Sequence, residues 1–591
     1  MNLKNLKTWL VVASVVWATE ALSSPAWPWP VSVEQPNGRV INVYLRGDEN
    51  IHFFETTDGM MLKRDHEGRM CYACIDGSGH VVASTVTAPD RHATDAIGDL
   101  LTPDAQARLR KALVAERDSR IMAKTPLAPG AVKQMFPTTG KVRGLIILAE
   151  YADMKFSCQD INEVYDRLAN EKGYNGPYAT GSIRDYFTDQ SAGLFEPEFD
   201  VVGPVTLPGK MSHYGLDENV VDLMVDACTV ADRDFDVDFS RYDFNDDGTV
   251  DFVYVVYAGY SEAQGAAEDT MWPQSVDLTY KTWKMFDNMY LGQSSCSSEL
   301  KGCTGNEIDG IGTFCHEFSH ILGLPDIYDP MYSGYDGMMY WDVMDVGLYN
   351  NDSRTPSGYT AMDKYSLGWL EPTVVEGQMN NVELEPLSSS NKAVFIVNEE
   401  DENEYFVLEN RQLEGWDSAL PGHGLLVSHV HYVPSLWQSN RVNTAVAGYE
   451  HVALVPADNV TSMETLATDT YPGDNGLYTE LSANSVPAMT WRQGGNACHV
   501  SVVNIRESQG VISFDFSDSP SGVSAVDAER EYLKVGKGFV DIDNAERQWV
   551  KVSAVTGAVC STSNDIRQRL FLQRGFYLVS IGQRTFKLTM K

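Results

Sequence analysis

The sequence has 591 residues, in which 45 Lys and Arg stand against 82 Asp and Glu, for a formal net charge of −37. Hydrophobic residues make up 43% and charged residues 21%, an ordinary globular composition that excludes wholesale disorder and a fibrous repeat. Because so acidic a surface repels phosphate backbones, we expect no nucleic-acid partner. The length predicts several domains, at about 100–200 residues each.

Residues 1–23 have the pattern of a secretory signal peptide. Lys4 and Lys7 form a basic start, an apolar run follows, and small residues at 21–23 provide a cleavage site. The run is shorter than the about 20 residues that cross a bilayer, and no later stretch is long enough. We therefore predict an exported protein without a transmembrane segment, in preference to a buried N-terminal helix.

Residues 24–125 predict a β-rich module followed by a helical linker. Hydrophobic alternation is broken by Asp-Gly and Glu-Gly turn signals, as is typical of short antiparallel strands. A polar helix is predicted over 103–122. The Pro- and Gly-containing stretch 125–130 that follows is a predicted site of proteolytic processing.

Residues 137–372 mix strands with helices. The predicted buried strands are 144–149 and 252–257, and the predicted helices are 160–172, 183–188 and 357–369. Residues 373–517 return to short strands separated by Gly and Pro turns, which favours a β-sandwich.

A Ser-, Asp- and Pro-containing linker at 517–522 leads to the last block, residues 526–591. This block has 11 Lys and Arg but only 7 Asp and Glu, a net charge of +4, so the rest of the chain carries −41. Such a shift in composition predicts a separately behaving domain.

The strongest chemical signal is an H-E-x-x-H motif within residues 316–326. His316 and His320 are four residues apart on a predicted helix, so both imidazoles project from one side and can bind one ion. Glu317 lies beside them, where a carboxylate can take a proton from water. Gly323 can end the helix at positive φ, which makes Asp326 a candidate oxygen ligand. This spacing is metzincin-like and favours catalytic zinc over a chance pair of histidines.

Met344 lies in a downstream stretch, 341–347, that is typical of a methionine turn beneath such a zinc. The rival geometry takes a downstream Glu as third ligand, as in thermolysin-like enzymes. The predicted helix 357–369 contains no Glu, which argues against it. Tyr349 is a weaker candidate for stabilising an oxyanion.

A second constellation, residues 243–251, has the start of a calcium loop. Asp243, Asn245, Asp247 and Asp251 occupy positions 1, 3, 5 and 9, with Gly at position 6. Tyr254 stands at position 12, where an EF-hand has a bidentate Glu. We therefore predict a calcium loop outside an EF-hand, the alternative being an Asp-rich solvated turn.

Other residues give weaker signals. Cys296 and Cys303 are close enough in sequence to form a disulfide. A cysteine of the pair at 71 and 74 is a minor candidate for capping zinc in a latent precursor. The two histidines at 429 and 431 share a strand face and are more often structural than metal-binding.

The chain resembles the immune inhibitor A-like family of secreted bacterial zinc metallopeptidases over about residues 28–517. The stretches similar to that family, besides 316–326, are 181–193, 202–205, 257–260, 272–273, 341–347, 367–369, 408–412, 415–417 and 420–426. The resemblance implies endopeptidase activity, zinc on His316, His320 and Asp326, and a propeptide in the first block that keeps the enzyme latent.

The last block resembles the C-terminal sorting domain of the type IX secretion system of Bacteroidetes. The similar runs are 550–557, 572–579 and 587–591, with a departure from the usual pattern at Ser553 and Ala554. This resemblance implies passage across the outer membrane and then release or attachment at the cell surface.

The sequence thus predicts a multidomain α+β protein whose metzincin-like (zincin) catalytic domain is flanked by a β-rich propeptide and C-terminal β-sandwich domains. The predicted function is hydrolysis of peptide bonds in proteins through a zinc-activated water, with Glu317 as general base. The alternatives are an inactive, calcium-stabilised surface adhesin on a peptidase scaffold and a zinc amidase or deacetylase.

Overall fold

The computed structural model describes residues 22–88, 100–124, 136–216, 219–279, 281–330, 337–375, 377–444, 449–462, 465–473, 476–492 and 495–518, and seven strands between residues 533 and 590. The chain divides into two compact units, residues 1–517 and 518–591. The predicted signal peptide up to residue 21 and the processing linker 125–130 lie outside the described residues.

In its described residues, the first unit contains four sheets and several helices. Its strands are β1 Leu22–Ser23, β2 Val31–Glu34, β3 Val40–Gly47, β4 His52–Thr56, β5 Met61–Arg64, β6 Met70–Ile75, β7 Val81–Thr87, β8 Gly140–Glu150, β9 Phe195–Thr206, β10 Thr249–Tyr257, β11 Gln274–Asp277, β12 Met285–Phe286, β13 Met289–Ser298, β14 Thr373–Val374, β15 Met379–Leu384, β16 Val394–Val397, β17 Glu404–Arg411, β18 Gly424–His431, β19 Val452–Leu454, β20 Glu480–Leu481, β21 Val500–Ser508 and β22 Val511–Asp518. Its helices are α1 Pro103–Lys124, α2 Ile161–Asn170, α3 Ile183–Gln190, α4 Met211–Gly215, α5 Val220–Phe235, α6 Gly312–Leu322, α7 Ala361–Ser366, α8 Leu387–Ser390 and α9 Pro434–Gln438.

Strands β2 to β7 form one sheet in chain order, each antiparallel to the next. Helix α1 closes one side of this sheet, where Leu109 and Leu113 share a core with Phe53 and Met61. None of the helices in the described part of the chain is both long and apolar enough to cross a membrane.

A seven-stranded sheet with the order β1-β11-β13-β10-β8-β9 carries the site, and β12 pairs with β13. Strands β8, β9, β10 and β13 are parallel, and β11 runs antiparallel to β13. Alternate residues of β8 face opposite sides: Ile146 shares a core with α2, α3 and α6, whereas Ile147 shares a core with α5. Helices on both faces of a mostly parallel sheet explain why β8 and β10 are continuously apolar.

Residues 373–517 form two sheets, β14-β16-β17-β18-β19 and β15-β22-β21-β20. Side chains from both sheets share one core, in which Phe406 and Leu408 meet Val502 and Phe514. With its several sheets and helices, the first unit has the multidomain α+β architecture that the sequence predicts.

A fully buried arginine connects residues 373–517 with residues 137–372 of the first unit. Arg411 on β17 pairs with Asp417 and Glu409, and it donates to the backbone oxygens of Trp341 and Gly358. A buried charge is tolerated only where such partners are available. Residues 373–517 therefore pack directly on the predicted methionine turn, at Trp341, and on the segment that follows it, at Gly358.

The second unit consists of two antiparallel sheets in its described residues. The strands are β23 Leu533–Gly536, β24 Phe539–Asp543, β25 Val550–Ala554, β26 Val559–Ser563, β27 Arg567–Phe571, β28 Gly575–Ile581 and β29 Arg584–Met590. Their orders are β23-β24-β27 and β26-β25-β28-β29.

One local prediction was wrong. The helix predicted over 357–369 is only α7, because the chain is extended before Thr360, which caps the helix together with Asp363. The candidate disulfide between Cys296 and Cys303 is not formed, and both are free thiols. Cys296 instead points into the core beneath β13.

Candidate metal centre

The H-E-x-x-H motif forms helix α6, and every residue of this helix is buried. Gly323 follows at φ +106, a left-handed conformation that ends the helix without steric cost to glycine. The N–H of Gly323 and that of Leu324 donate to carbonyls of the last turn, at 3.0 and 3.1 Å. The chain then turns back along the helix and brings Asp326 to both histidines.

Three acceptor atoms meet at this point. His316 Nε2 lies 3.2 Å from His320 Nε2, and Asp326 Oδ1 lies 3.2 and 3.3 Å from these two nitrogens. Ligand atoms about 2.0–2.1 Å from a tetrahedral zinc are about 3.3 Å apart, so the spacing fits that ion. Among the described residues this is the one such group of three or more His, Cys, Asp or Glu.

The hydrogen bond made by Nδ1 of each imidazole orients the ring so that Nε2 faces the centre. His316 Nδ1 lies 2.8 Å from the carbonyl oxygen of Val343, and His320 Nδ1 lies 2.8 Å from that of Leu324. Because a carbonyl only accepts, each Nδ1 carries a proton and each Nε2 faces the centre, where it can bind a metal once it is unprotonated. Two such nitrogens beside a carboxylate form a donor set suited to a divalent cation.

The pKa shifts of His316 and Asp326 show that the imidazole and the carboxylate stabilise each other's charge. Burial lowers the pKa of His316, but its contacts with Asp326 outweigh burial and raise that pKa to about 9. Burial raises the pKa of Asp326, yet His320 and His316 bring it well below the usual range. No donor within the described part of the chain satisfies buried Asp326 Oδ1 with hydrogen-bond geometry. The carboxylate oxygen that faces the histidines therefore stabilises positive charge there, as a metal ligand does.

Glu317 lies in the same buried layer and is held by hydroxyl and amide donors. Its Oε1 accepts from the backbone N–H and the hydroxyl of Ser24, both at 2.7 Å. Its Oε2 accepts from Ser275 Oγ at 3.0 Å. Burial raises the pKa of Glu317, partly opposed by the two imidazoles. A carboxyl with a raised pKa beside a metal centre is suited to accept and return a proton.

The N-terminal segment, residues 22–27, lies across this centre. Strand β1 pairs antiparallel with edge strand β11, with Leu22 opposite Ser275 and Ser23 opposite Gln274. The carbonyl oxygen of Ser23 is 3.3 Å from His316 Nε2, which equals the spacing among the three candidate ligands. The N-terminal segment therefore occupies the space next to both the candidate metal ligands and Glu317.

Three aromatic side chains hold consecutive carbonyl oxygens of the N-terminal segment. Tyr328 OH donates to Ser23 O at 2.8 Å, Trp272 Nε1 to Ser24 O at 2.9 Å, and Tyr349 OH to Pro25 O at 2.6 Å. Contacts to the backbone rather than to side chains suit a peptide of variable sequence. The sequence singled out Tyr349 alone among these residues.

The stretch 341–347 passes under the histidines. Val343 provides the carbonyl that holds His316, and Met344 is fully buried, with its carbonyl oxygen accepting from Ile327 N–H at 3.0 Å. Met344 thus lies in the core and directly follows the residue whose carbonyl holds His316. Its role in a methionine turn stays a prediction.

The predicted calcium loop folds around its own carboxylates. The N–H groups of Asp247 and Gly248 donate to Asp243, and Phe244 N–H donates to Asp251 Oδ2 at 2.6 Å. Burial, and then its acidic neighbours, raise the pKa of Asp251 to about 6. Asn245 Nδ2 donates to Asp251 Oδ1 at 3.4 Å. The calcium assignment stays a prediction.

The other candidates lie apart from the centre. Both histidines of β18 have partners near that strand. His429 pairs with Glu404 at 2.9 Å, and His431 contacts Tyr449 at 2.6 Å. Cys71 and Cys74 lie on β6. The residue that contacts Glu317 from the first block is Ser24, which no sequence motif marked.

The comparison with known proteins covers this part of the chain. Residues 150–370 match the family described as immune inhibitor A peptidase M6, catalytic domain. The match contains α6, Asp326 and Met344, and it supports the resemblance seen in the sequence over a narrower range. The resemblance of residues 526–591 to sorting domains stays a prediction.

Two relatives are similar to part of the chain. The chain is 27% identical to immune inhibitor A of Bacillus thuringiensis subsp. alesti over 288 residues, which are 41% of this chain and 42% of the relative. It is 25% identical to the pre-pro-metalloprotease PrtV of Vibrio cholerae serotype O1 over 228 residues, which are 34% of this chain and 25% of the relative. The matched region thus spans less than half the length of either relative.

Proposed function

We propose that this chain is the precursor of a secreted zinc metalloendopeptidase that cleaves peptide bonds within proteins. The observation that carries the proposal is the convergence of His316 Nε2, His320 Nε2 and Asp326 Oδ1 beside the buried carboxylate of Glu317. The match to a peptidase M6 catalytic domain and the likeness to a metalloprotease support it.

His316, His320 and Asp326 would hold the zinc, which supplies Lewis acidity toward the substrate carbonyl. Glu317 is placed to accept a proton at Oε1 from the attacking water and then to donate it to the leaving amine. Both partners of Oε1 belong to Ser24, so this oxygen becomes available once the N-terminal segment leaves. Tyr349 OH donates to Pro25 O at 2.6 Å, and a substrate carbonyl oxygen would take the place of this acceptor once the segment leaves.

We propose that residues 24–125 form a propeptide that keeps the enzyme latent. Within this block, Ser24 donates twice to Glu317 Oε1 and gives its carbonyl oxygen to Trp272, and Pro25 gives its carbonyl oxygen to Tyr349. A bound substrate needs these same groups, so the two exclude each other. The linker at 125–130 remains the proposed cleavage site for activation.

The remaining assignments follow from the sequence. Residues 1–23 are proposed as a signal peptide, 137–372 as the catalytic domain, 373–517 as a β-sandwich domain, and 526–591 as a type IX sorting domain. Protein or peptide substrates and the type IX machinery are the proposed partners. The processed protein is expected outside the cell or attached to the bacterial surface. N-terminal sequencing and intact mass of the secreted protein test both processing steps together.

The function is tested by digesting casein with the processed chain, with and without a zinc chelator. We expect internal cleavage that stops on chelation and returns when zinc is added back. Absence of hydrolysis by every processed form contradicts the proposal and favours a surface adhesin on a peptidase scaffold. Release of acetyl or amide groups without internal cleavage favours an amidase or deacetylase.

Calcium is the second proposed ion, held by Asp243, Asn245, Asp247 and Asp251. Because the pKa of Asp251 is about 6, calcium must compete with a proton below that pH. We expect calcium at about 100 times its Kd to stabilise the fold by about 2.7 kcal/mol at pH 7.5 and by about half as much at pH 5, where the proton on Asp251 weakens binding about 10-fold. The Tm measured at both pH values, with and without calcium, checks this.

Without calcium, the effect of Asp251 on stability has the opposite pH dependence. Asp251 binds its proton more tightly when folded than when unfolded, so its contribution to stability is full below about pH 4 and is lost as the pH rises through about 6. Asp251→Asn should flatten this profile and abolish the calcium response. Asp246→Asn is the matched control, because this exposed carboxylate lies outside the predicted ligand positions. An equal calcium response in the Asp251 variant contradicts the assignment.

A further inference from the structure

The two oxygens of the Asp326 carboxylate have different surroundings. Oδ1 faces the two imidazoles, at 3.2 and 3.3 Å, whereas Oδ2 accepts from the side-chain amide of Asn440. The backbone N–H of Asp326 also donates to Asn440 Oδ1, at 2.6 Å. A single amide therefore contacts both the main chain and the side chain of the candidate third ligand.

Asn440 comes from a distant part of the sequence, 114 residues beyond Asp326. It follows α9, which ends at Gln438, and its φ is +50, a left-handed conformation that asparagine adopts more readily than most residues. Its backbone N–H donates to Trp437 O at 3.3 Å, so the end of the helix sets the direction of the side chain.

A second asparagine anchors the same turn. Asn443 is buried, and its Nδ2 donates to Ile327 O at 2.7 Å and to Val452 O at 2.8 Å. Its Oδ1 accepts from the N–H groups of His451 and Val452, at 2.9 and 3.1 Å. The turn at 440–443 is thereby tied to β19 and to the backbone immediately after Asp326.

We propose that Asn440 is a positioning residue for the metal centre, acting through Asp326. By holding Oδ2 and the backbone N–H, it fixes the carboxylate with Oδ1 toward the imidazoles, so metal affinity depends on a side chain from residues 373–517. The inference rests on the proposed zinc site. Loss of an outer partner of a metal ligand typically weakens metal binding about 10–100-fold.

The test measures zinc affinity by competition with a chromophoric chelator, using the full chain with Glu317→Gln in every sample to prevent self-cleavage. Asn440→Gly removes the amide without opposing the left-handed backbone. Asn440→Asp keeps the shape and the acceptor for Asp326 N–H but replaces the donor by a second carboxylate oxygen. Asn459→Gly is the matched control, since Asn459 is exposed and has φ +58.

We expect about 10–100-fold weaker zinc binding in both Asn440 variants, an altered visible spectrum of the cobalt-substituted protein, and an unchanged Kd in Asn459→Gly. The metal-free Tm should be similar in all of them, which separates positioning from folding. Wild-type affinity in the Asn440 variants, or an equal loss in Asn459→Gly, overturns the inference. Absence of zinc binding by the parent chain instead contradicts the proposed function.

Discussion

Replacing Glu317 by glutamine is expected to lower peptide hydrolysis by about 10²–10⁴-fold, because the amide cannot take a proton from the attacking water. The change keeps the shape of a side chain that is fully buried. In the intact chain the amide oxygen of glutamine can accept from Ser24, and its NH2 group can donate to the hydroxyl oxygen of Ser275, so the fold should tolerate the change. The measurement is kcat on a quenched peptide with the processed chain.

Measuring the zinc content distinguishes a variant that has lost its general base from one that has lost its metal centre. We expect one zinc per chain in both wild type and Glu317→Gln, because Glu317 is not among the three converging ligand atoms. Glu307→Gln is the matched control: its side chain is 60% exposed on the stretch before α6. Undiminished kcat in the Glu317 variant rules out its role as general base.

Removing the N-terminal segment should produce the second large effect. If the segment binds with a Kd of about 10 µM at an effective concentration of about 1 mM, only about 1% of chains are open at any moment. Activity should therefore rise about 100-fold when the chain is cut after α1 and the first block dissociates. The measurement compares initial rates of the purified intact and cut forms at equal zinc content.

A single substitution tests whether the contact of Ser24 with Glu317 is responsible for latency. Ser24→Ala removes one of the two hydrogen bonds to Glu317, and a hydrogen bond to a charged group contributes about 1.5–3 kcal/mol. The intact variant should be about 10-fold or more active than the intact wild type. Ser32→Ala on β2 should leave the intact chain latent, since Ser32 is exposed and bonds to Asn42. Equal latency of both variants contradicts a blocking role for Ser24.

The local parts of the centre could be predicted because their geometry is encoded in short spacing. The i, i+4 histidines and Gly323 suffice to predict the course of α6 and the return to Asp326. Helix α7 was predicted too long because its polar cap at Thr360 was read as part of the helix. A capping box such as Thr360 with Asp363 is visible in the sequence and marks where the helix begins.

The long-range parts could not be predicted. Ser24 meets Glu317 across 293 residues, and Asn440 meets Asp326 across 114 residues. Neither serine nor asparagine has a pattern that marks such a partner, and nothing in the sequence gives the relative placement of the sheets. The role of Arg411 could not be predicted either, because it depends on two backbone oxygens that only the fold brings near.

The pairing of β1 with β11 has a consequence for the choice of substrate. Once β1 leaves, β11 presents unpaired N–H and C=O groups at the edge of a sheet, and only an extended chain can satisfy them. A segment that is helical or packed in a folded protein must first open locally, at a free-energy cost set by that protein's own stability. Cleavage should therefore be fastest in disordered linkers and unfolded proteins, and the resistance of a compact protein should follow its opening equilibrium more than its sequence.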